Sequence, residues 1–154
     1  AATNWSVYAD IIKPLSEYCV NDYDALVLPG GMGAAQNWSD YAFCGEKMSV
    51  NKEIENAVKQ THSANKPIAA LCIAPMILAK VLGDKNPTLT LGGDCQAAKD
   101  AIALGCRHKI CNATEVAIDE KNKLLTAPAY MVATRISQIF EGSDNLIQAL
   151  YNMI

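Results

Sequence analysis

The sequence predicts an α/β domain built on a mostly parallel sheet between helices, and three observations carry that expectation. Short apolar runs recur at "DALVLPGG" (24–31), "PIAALC" (67–72) and "TLTLGG" (88–93). Stretches with helical spacing of apolar residues separate them. The first and third runs close on glycine pairs, which mark tight turns. Strands alternating with helices imply parallel pairing with both faces of the sheet covered.

Each element has a local reason. "DALVLPGG" reads as a buried strand that Pro-Gly-Gly ends in a tight loop. In "VNKEIENAVKQTHSAN" (50–65), Ile54, Ala57, Val58 and Thr61 fall on one helical face, with Asn51 as N-cap and Asn65 as C-terminal stop. "PIAALC" is a second buried strand, and "IAPMILAKVLG" (73–83) a short helix closed by Gly83. "TLTLGG" is a third strand. "DCQAAKDAIALG" (94–105) reads as a helix capped by Asp94 and stopped by Gly105. "EVAIDEKNKLLTAP" (115–128) reads as a hairpin turning at Glu120 to Asn122. The tail from Met131 to Ile154 reads as two helical stretches broken near Gly142. Ligands in such sheets bind beyond the carboxyl ends of the strands, a rule that gathers Gly30–Gly31, Cys72 and Gly92–Gly93 at one rim.

Composition narrows the function classes. The length is that of one domain, with no internal repeat or linker to divide it. Half the residues are hydrophobic and the formal net charge is -3, with lysines scattered rather than clustered. This argues against a nucleic-acid partner and against an anionic membrane surface. No apolar run approaches the roughly 20 residues of a spanning helix. Six cysteines (19, 44, 72, 95, 106, 111) and three Asn-x-Ser/Thr tripeptides (at Asn4, Asn37 and Asn112) admit a secreted, disulfide-bonded reading. The irregular cysteine spacing, without any CxxC, and the abundance of aliphatic residues favour reduced, intracellular thiols, in the cytoplasm or a mitochondrion.

Cys72 is the residue that asks for chemistry. It stands between two apolar runs in "KPIAALCIAPMIL" (66–78), at the junction of a strand and a helix. A side chain there sits on a sharp turn and is presented outward, as in a nucleophile elbow. The helix dipole favours the thiolate at that end. Pro75 falls in the first helical turn, where its missing N–H leaves nothing unsatisfied. The N–H of Ile73 points back toward the thiol, and the "PGGMG" loop offers a second donor for an oxyanion. The bland reading, a small core residue, competes with this one.

Four stretches, "LVLPGGMGAAQNW", "VNKEIENAV", "KPIAALCIAPMILAKVL" and "IDEKNKLLTAPAYM", closely resemble, in the right order, the ElbB-like (enhancing lycopene biosynthesis protein) family. That family belongs to the ThiJ/PfpI branch of the class I glutamine amidotransferase-like superfamily, and the resemblance covers nearly the whole chain. It implies a flavodoxin-like sandwich with Cys72 as nucleophile and Gly31 and Ile73, beside Gly30, as oxyanion donors. It further implies glyoxalase or deglycase-type activity on small 2-oxoaldehydes or glycated substrates, without metal or other cofactor, in a homodimer.

Two departures qualify it. The superfamily places a β-α-β unit before the Pro-Gly-Gly strand, and its helix bears a glutamate beside the cysteine. This chain begins after that unit, and Pro14 would interrupt a central strand in "DIIKPL". The expectation is therefore an N-terminally incomplete domain, with the unit and its glutamate on a separate fragment or missing. Many members also carry a histidine after the third strand, where this chain has "LTLGGDC". Neither His62, near a helix end, nor His108, at a strand start, fits that position. Glutaminase chemistry needs a thiolate–histidine relay with a carboxylate two residues beyond the histidine, and "TAPAYM" supplies neither. A non-enzymatic rival remains, in which Cys72 senses oxidants or lines a binding pocket. Tyr130 is placed either at the rim or in the core, Cys95 is held in reserve as a resolving thiol, and Asp94 is the fallback proton shuttle.

Overall fold

Four strands form the main sheet of the computed structural model, which describes residues 12–154. They are β1 (Leu26–Leu28), β2 (Ile68–Leu71), β5 (Ala117–Asp119) and β6 (Leu124–Ala127), in the spatial order β1-β2-β6-β5. Strands β1, β2 and β6 run parallel, in a register that aligns Val27 with Ala69 and Ala69 with Leu125. Strand β5 returns antiparallel to β6 through the hairpin expected from the sequence. The turn is held by Asp119, whose carboxylate accepts from the backbone N–H of Asn122 (3.0 Å) and from its side-chain amide (2.8 Å). The short strands β3 (Thr88–Leu89) and β4 (Arg107–His108) make a separate parallel pair. The third strand of the sequence thus leaves the main sheet and is tied to it by side chains. The Thr90 N–H donates to the Thr126 hydroxyl (2.8 Å) and the Thr88 N–H to the Asp119 carboxylate (2.7 Å).

The helices are α1 (Met32–Gln36), α2 (Tyr41–Cys44), α3 (Lys52–Ser63), α4 (Pro75–Leu82), α5 (Gln96–Ala103) and α6 (Ile136–Tyr151). Alternation along the strands sorts the core into two layers. Leu28, Ile68, Ala70 and Leu124 pack with Ile54 and Val58 of α3, with Met76, Ile77 and Leu78 of α4, and with Ala97 and Ala101 of α5. On the other face, Ala69, Leu125 and Ala127 pack under Leu146 and Leu150 of α6. This is the α/β arrangement, a mainly parallel sheet between helices, that the sequence predicts. Asn51 caps α3 by accepting from the N–H groups of Glu53 (2.9 Å) and Ile54 (3.4 Å). Asn65 stops that helix in the left-handed conformation (φ +58°). Gly105 (φ +99°) ends α5 with the paired bonds Gly105 N–H to Ile102 and Cys106 N–H to Ala101.

Three sequence expectations need correction. Gly142 does not break the tail, and α6 runs through it as one 16-residue helix. A Cβ at Gly142 would lie 2.4 Å from the Ala113 carbonyl oxygen, so the glycine admits a close backbone approach. Asp94 does not cap α5: the N-cap is Cys95, without a side-chain cap bond. Strand β1 is not buried throughout, because it lies at the sheet edge with Val27 exposed. Gly83 is the C-cap of α4, as expected, at an ordinary φ of -55°, and the chain continues from it into a 3-10 turn (Gly83–Lys85). The expectations for the first eleven residues, including the start of "DIIKPL", lie outside the described residues. All six cysteines are free thiols.

Two groups make stability pH-dependent. His108 is desolvated, which lowers its pKa from the ordinary 6.5, while Asp94 opposes this in part. Its Nε2 accepts from the Leu91 N–H (3.1 Å), a bond that only an unprotonated Nε2 makes. Burial raises Asp119, but hydrogen bonds from Asn122 and Thr88 and the charge of Arg107 outweigh it and hold the group below 3.8. In both cases the unfolded chain binds protons more readily, so stability falls as pH drops. The loss begins below the ordinary histidine value and resumes below the ordinary carboxylate value. Urea midpoints at pH 7, 5 and 3 should decline in that order, and His108→Gln should flatten the first step. Equal midpoints at pH 7 and 5 would refute the histidine term.

Candidate active site

Cys72 follows β2 directly and stands at φ +57°, a left-handed conformation that costs an L-residue about 1–2 kcal/mol. Two bonds hold it there. Its own N–H donates to the Ala127 carbonyl (2.9 Å), and the Ala74 N–H donates to the Leu71 carbonyl (3.0 Å). Pro75 then opens α4 at its first position. The elbow is therefore real, with one difference: the helix begins three residues after the cysteine, and Cys72–Ala74 form a turn. Strain of this kind persists where the surroundings over-determine it, often at functional sites.

The half-buried thiol opens on a cavity of about 660 Å³ at the carboxyl ends of β1, β2 and β6. Gly30, Gly31, Cys72, Ile73 and Tyr130 all line it, whereas Gly92–Gly93, expected at the same rim, do not. Neither the Gly31 nor the Ile73 N–H donates to a backbone carbonyl among the described residues, which leaves both available to an oxyanion. Gly31 (φ +98°) needs the freedom of glycine, since its loop turns there into α1. Gly30 is glycine for space. A Cβ on it would lie 2.6 Å from the Cys72 Cβ and 2.9 Å from the Leu71 carbonyl oxygen. Gly30→Ala is expected to displace the Cys72 thiol and change its alkylation rate. The alkylation rate of the variant beside wild type checks this, and equal rates would refute it.

Tyr130 belongs to the rim, not the core. It sits on a 3-10 turn (Ala129–Met131) after β6 with 66% of its surface exposed. Gly92–Gly93 do not reach the cavity, because Gly92 packs against Val132 and Pro128. Asp94 faces outward in a loose pair with Lys99 (3.7 Å) and lies outside the cavity, so it is no proton shuttle there. His62, His108 and Cys95 are likewise absent from the lining. Burial pushes the Cys106 thiol up to about 12, the mark of an inert core cysteine. Sequence reasoning missed Met32, Leu71, Met131, Ile139 and Ser143 as lining residues. The last two stand at i, i+4 on α6, a signal hidden by the expected break at Gly142. Among the described residues the walls carry no acidic, basic or imidazole group, and their polar side chains are Cys72, Tyr130 and Ser143. Among the described residues no group of three or more metal-ligating side chains assembles.

A model of the DJ-1/PfpI family matches residues 4–127, including the Gly30–Gly31 loop and the Cys72 elbow. The chain belongs to the DJ-1/PfpI family. It is 36% identical to the mitochondrial ES1 protein homolog of Rattus norvegicus, over 92% of this chain and 56% of that protein. It is 35% identical to the human mitochondrial glutamine amidotransferase-like class 1 domain-containing protein 3, with the same coverage. Among solved structures it resembles an isoprenoid biosynthesis protein with amidotransferase-like domain from Ehrlichia chaffeensis. The TM-score is 0.80 and the identity 28%, over 91% of this chain and 64% of the other. The chain thus spans about half the length of the curated relatives it matches. Among the described residues no helix is long and apolar enough to cross a membrane.

Proposed function

We propose that this DJ-1/PfpI chain carries the thiol of a cofactor-independent glyoxalase or deglycase that converts small 2-oxoaldehydes, such as methylglyoxal and glyoxal, into 2-hydroxy acids. The observation that carries this reading is the Cys72 thiol, held at φ +57° over an open cavity beside two uncommitted backbone donors. The Cys72 thiolate adds to the aldehyde carbon, and the Gly31 and Ile73 N–H groups stabilise the resulting oxyanion of the hemithioacetal. A proton then moves from the former aldehyde carbon to its neighbour. This oxidises the first carbon to a thioester and reduces the second to an alcohol, with no external oxidant. Water hydrolyses the thioester, releasing the 2-hydroxy acid and the thiol. The proton shuttle of this scheme is a glutamate outside the described lining, on the β-α-β unit implied by the ElbB-like resemblance. The relatives' names support a mitochondrial placement. The test is to incubate the protein with methylglyoxal and identify the product by NMR. Lactate formed at the rate of aldehyde loss supports the reading, and stable adducts without lactate would refute it.

The bare walls of the cavity favour one other reading. Without an acid–base group beside it, Cys72 would serve a redox-sensing or binding role. Selective oxidation of Cys72 by peroxide, together with no aldehyde turnover, is the outcome that favours this alternative.

A further inference from the structure

Helix α6 turns an apolar stripe inward, and one position on that stripe breaks the pattern. Ile139, Ser143, Leu146 and Leu150 stand at i, i+4, i+7 and i+11, the spacing of a core-facing helix. Leu146 and Leu150 are buried with Ala69, Leu125 and Ala127 of the sheet. Ser143 interrupts the stripe with a hydroxyl, is half-buried and lines the Cys72 cavity. A polar group taken out of water costs free energy unless it finds a partner. Helical serines and threonines commonly find one in the carbonyl four residues back, as Thr61 of α3 does at Ala57 (2.7 Å). Among the described residues the Ser143 hydroxyl makes no hydrogen bond, and no side-chain oxygen is both sealed from solvent and unpaired. The hydroxyl therefore opens into the cavity.

The helix is fixed at this point. Gly142 lets α6 close on the Ala113 carbonyl, and Asn145 donates to the Thr114 carbonyl (2.9 Å). Leu146 is fully buried. Ser143 lies between these holds, so its hydroxyl is presented from a backbone already in place. The other hydroxyl of the lining, on Tyr130, stands at the exposed rim, where water competes for it.

We infer that Ser143 selects 1,2-dicarbonyl substrates by donating a hydrogen bond to the oxygen on the second carbon, an inference that rests on the 2-oxoaldehyde reading above. Such a substrate brings two oxygens into a cavity with mostly apolar walls. The Gly31 and Ile73 N–H groups take the oxygen on the attacked carbon, and the second oxygen needs a donor of its own. A carbonyl desolvated without one would weaken binding. The same bond strengthens during the proton shift. When the proton leaves the first carbon, its C–H electron pair forms a C=C bond and the π pair of the second carbonyl moves onto oxygen. Negative charge thus develops on the oxygen that Ser143 holds, and it is discharged when the second carbon takes up the proton. A simple aldehyde has no second oxygen and leaves the hydroxyl idle.

The test follows reversible addition to Cys72 rather than product. The 154-residue chain is alkylated with iodoacetamide in rising concentrations of methylglyoxal or propanal, and mass spectrometry reads the Cys72 peptide. Propanal has the same carbon chain and lacks the second oxygen. Ser143→Ala should weaken protection by methylglyoxal about tenfold, the worth of one hydrogen bond to a desolvated acceptor, and leave protection by propanal unchanged. Ser143→Thr keeps the hydroxyl and should restore most of the loss. An equal change for both aldehydes would mean that Ser143 only shapes the cavity, and it would overturn the inference. Undiminished protection of Ser143→Ala by methylglyoxal, or no protection of the wild type, would do the same. Lactate is scored separately. Selective protection without lactate defeats the aldehyde conversion and leaves Ser143 in its role, whereas lactate without a selective loss in Ser143→Ala does the reverse.

Discussion

Replacing Cys72 with alanine is expected to reduce methylglyoxal consumption to the uncatalysed background while leaving the fold intact. Among the described residues the cavity walls offer no second nucleophile of comparable strength, only the hydroxyls of Tyr130 and Ser143. The fold should survive, because Cys72 is held by its backbone. Its N–H bond to Ala127 and the bond from Ala74 to Leu71 are made by any residue. Cys72→Gly sharpens the test. Glycine adopts φ +57° without penalty, so this variant should be more stable than wild type by about 1 kcal/mol and equally inactive. A cysteine kept where glycine is more stable is there for its sulfur. Thermal melts and lactate assays on both variants check the pair of outcomes. Residual turnover in Cys72→Ala would move the chemistry elsewhere, and a less stable Cys72→Gly would show that the sulfur packs rather than reacts.

Gly83→Ala is expected to be the most destabilising glycine-to-alanine change in this chain. Its φ is ordinary (-55°), so conformational freedom is not the reason for glycine. A Cβ there would stand 2.0 Å from the Leu104 carbonyl oxygen and 3.1 Å from its carbon. Reciprocally, a Cβ on Gly105 would stand 2.7 Å from the Gly83 carbonyl oxygen. Two backbones cross here, and neither can move as a flexible side chain could. Overpacking against backbone is expected to cost about 3 kcal/mol. For a chain of this size that corresponds to a fall in Tm of roughly 6–12 °C. Calorimetry of Gly83→Ala beside Gly93→Ala is the comparison, since nothing lies within 4 Å of a Cβ at Gly93. Equal melting temperatures would disprove the crossing argument.

Gly83 also shows what the sequence conveys and what it withholds. As a helix terminator it was legible, because glycine after "AKVL" is a local signal. The reason for it was not, since Leu104 lies 21 positions on and packing of that range leaves no periodic trace. The same division runs through the chain. Asn51, Asn65 and Gly105 act within a few residues of themselves and were read correctly. Gly142 looked like a breaker because its partner, the Ala113 carbonyl, comes from another segment. Cys72, Gly31 and Ile73 were legible because an elbow is a local geometry. Ile139 and Ser143 reach the cavity from α6 only through tertiary packing. Gly92–Gly93 followed the third strand out of the main sheet, a displacement that no alternation of apolar residues announces.

The seam between the two sheets has a consequence for how the molecule comes apart. Strand β3 is joined to β5 and β6 by the side chains of Asp119 and Thr126, not by a continuous ladder. A seam of side-chain bonds opens at lower cost than a ladder, because each bond breaks singly. The β3-α5-β4 unit is therefore a candidate for detachment as one cooperative block, with the Cys72 turn still braced by β2 and β6. Limited proteolysis under mild denaturant would then cut first within 84–112 and leave a thiol that still reacts. A protein built this way can release residues 84–112 and keep its working edge.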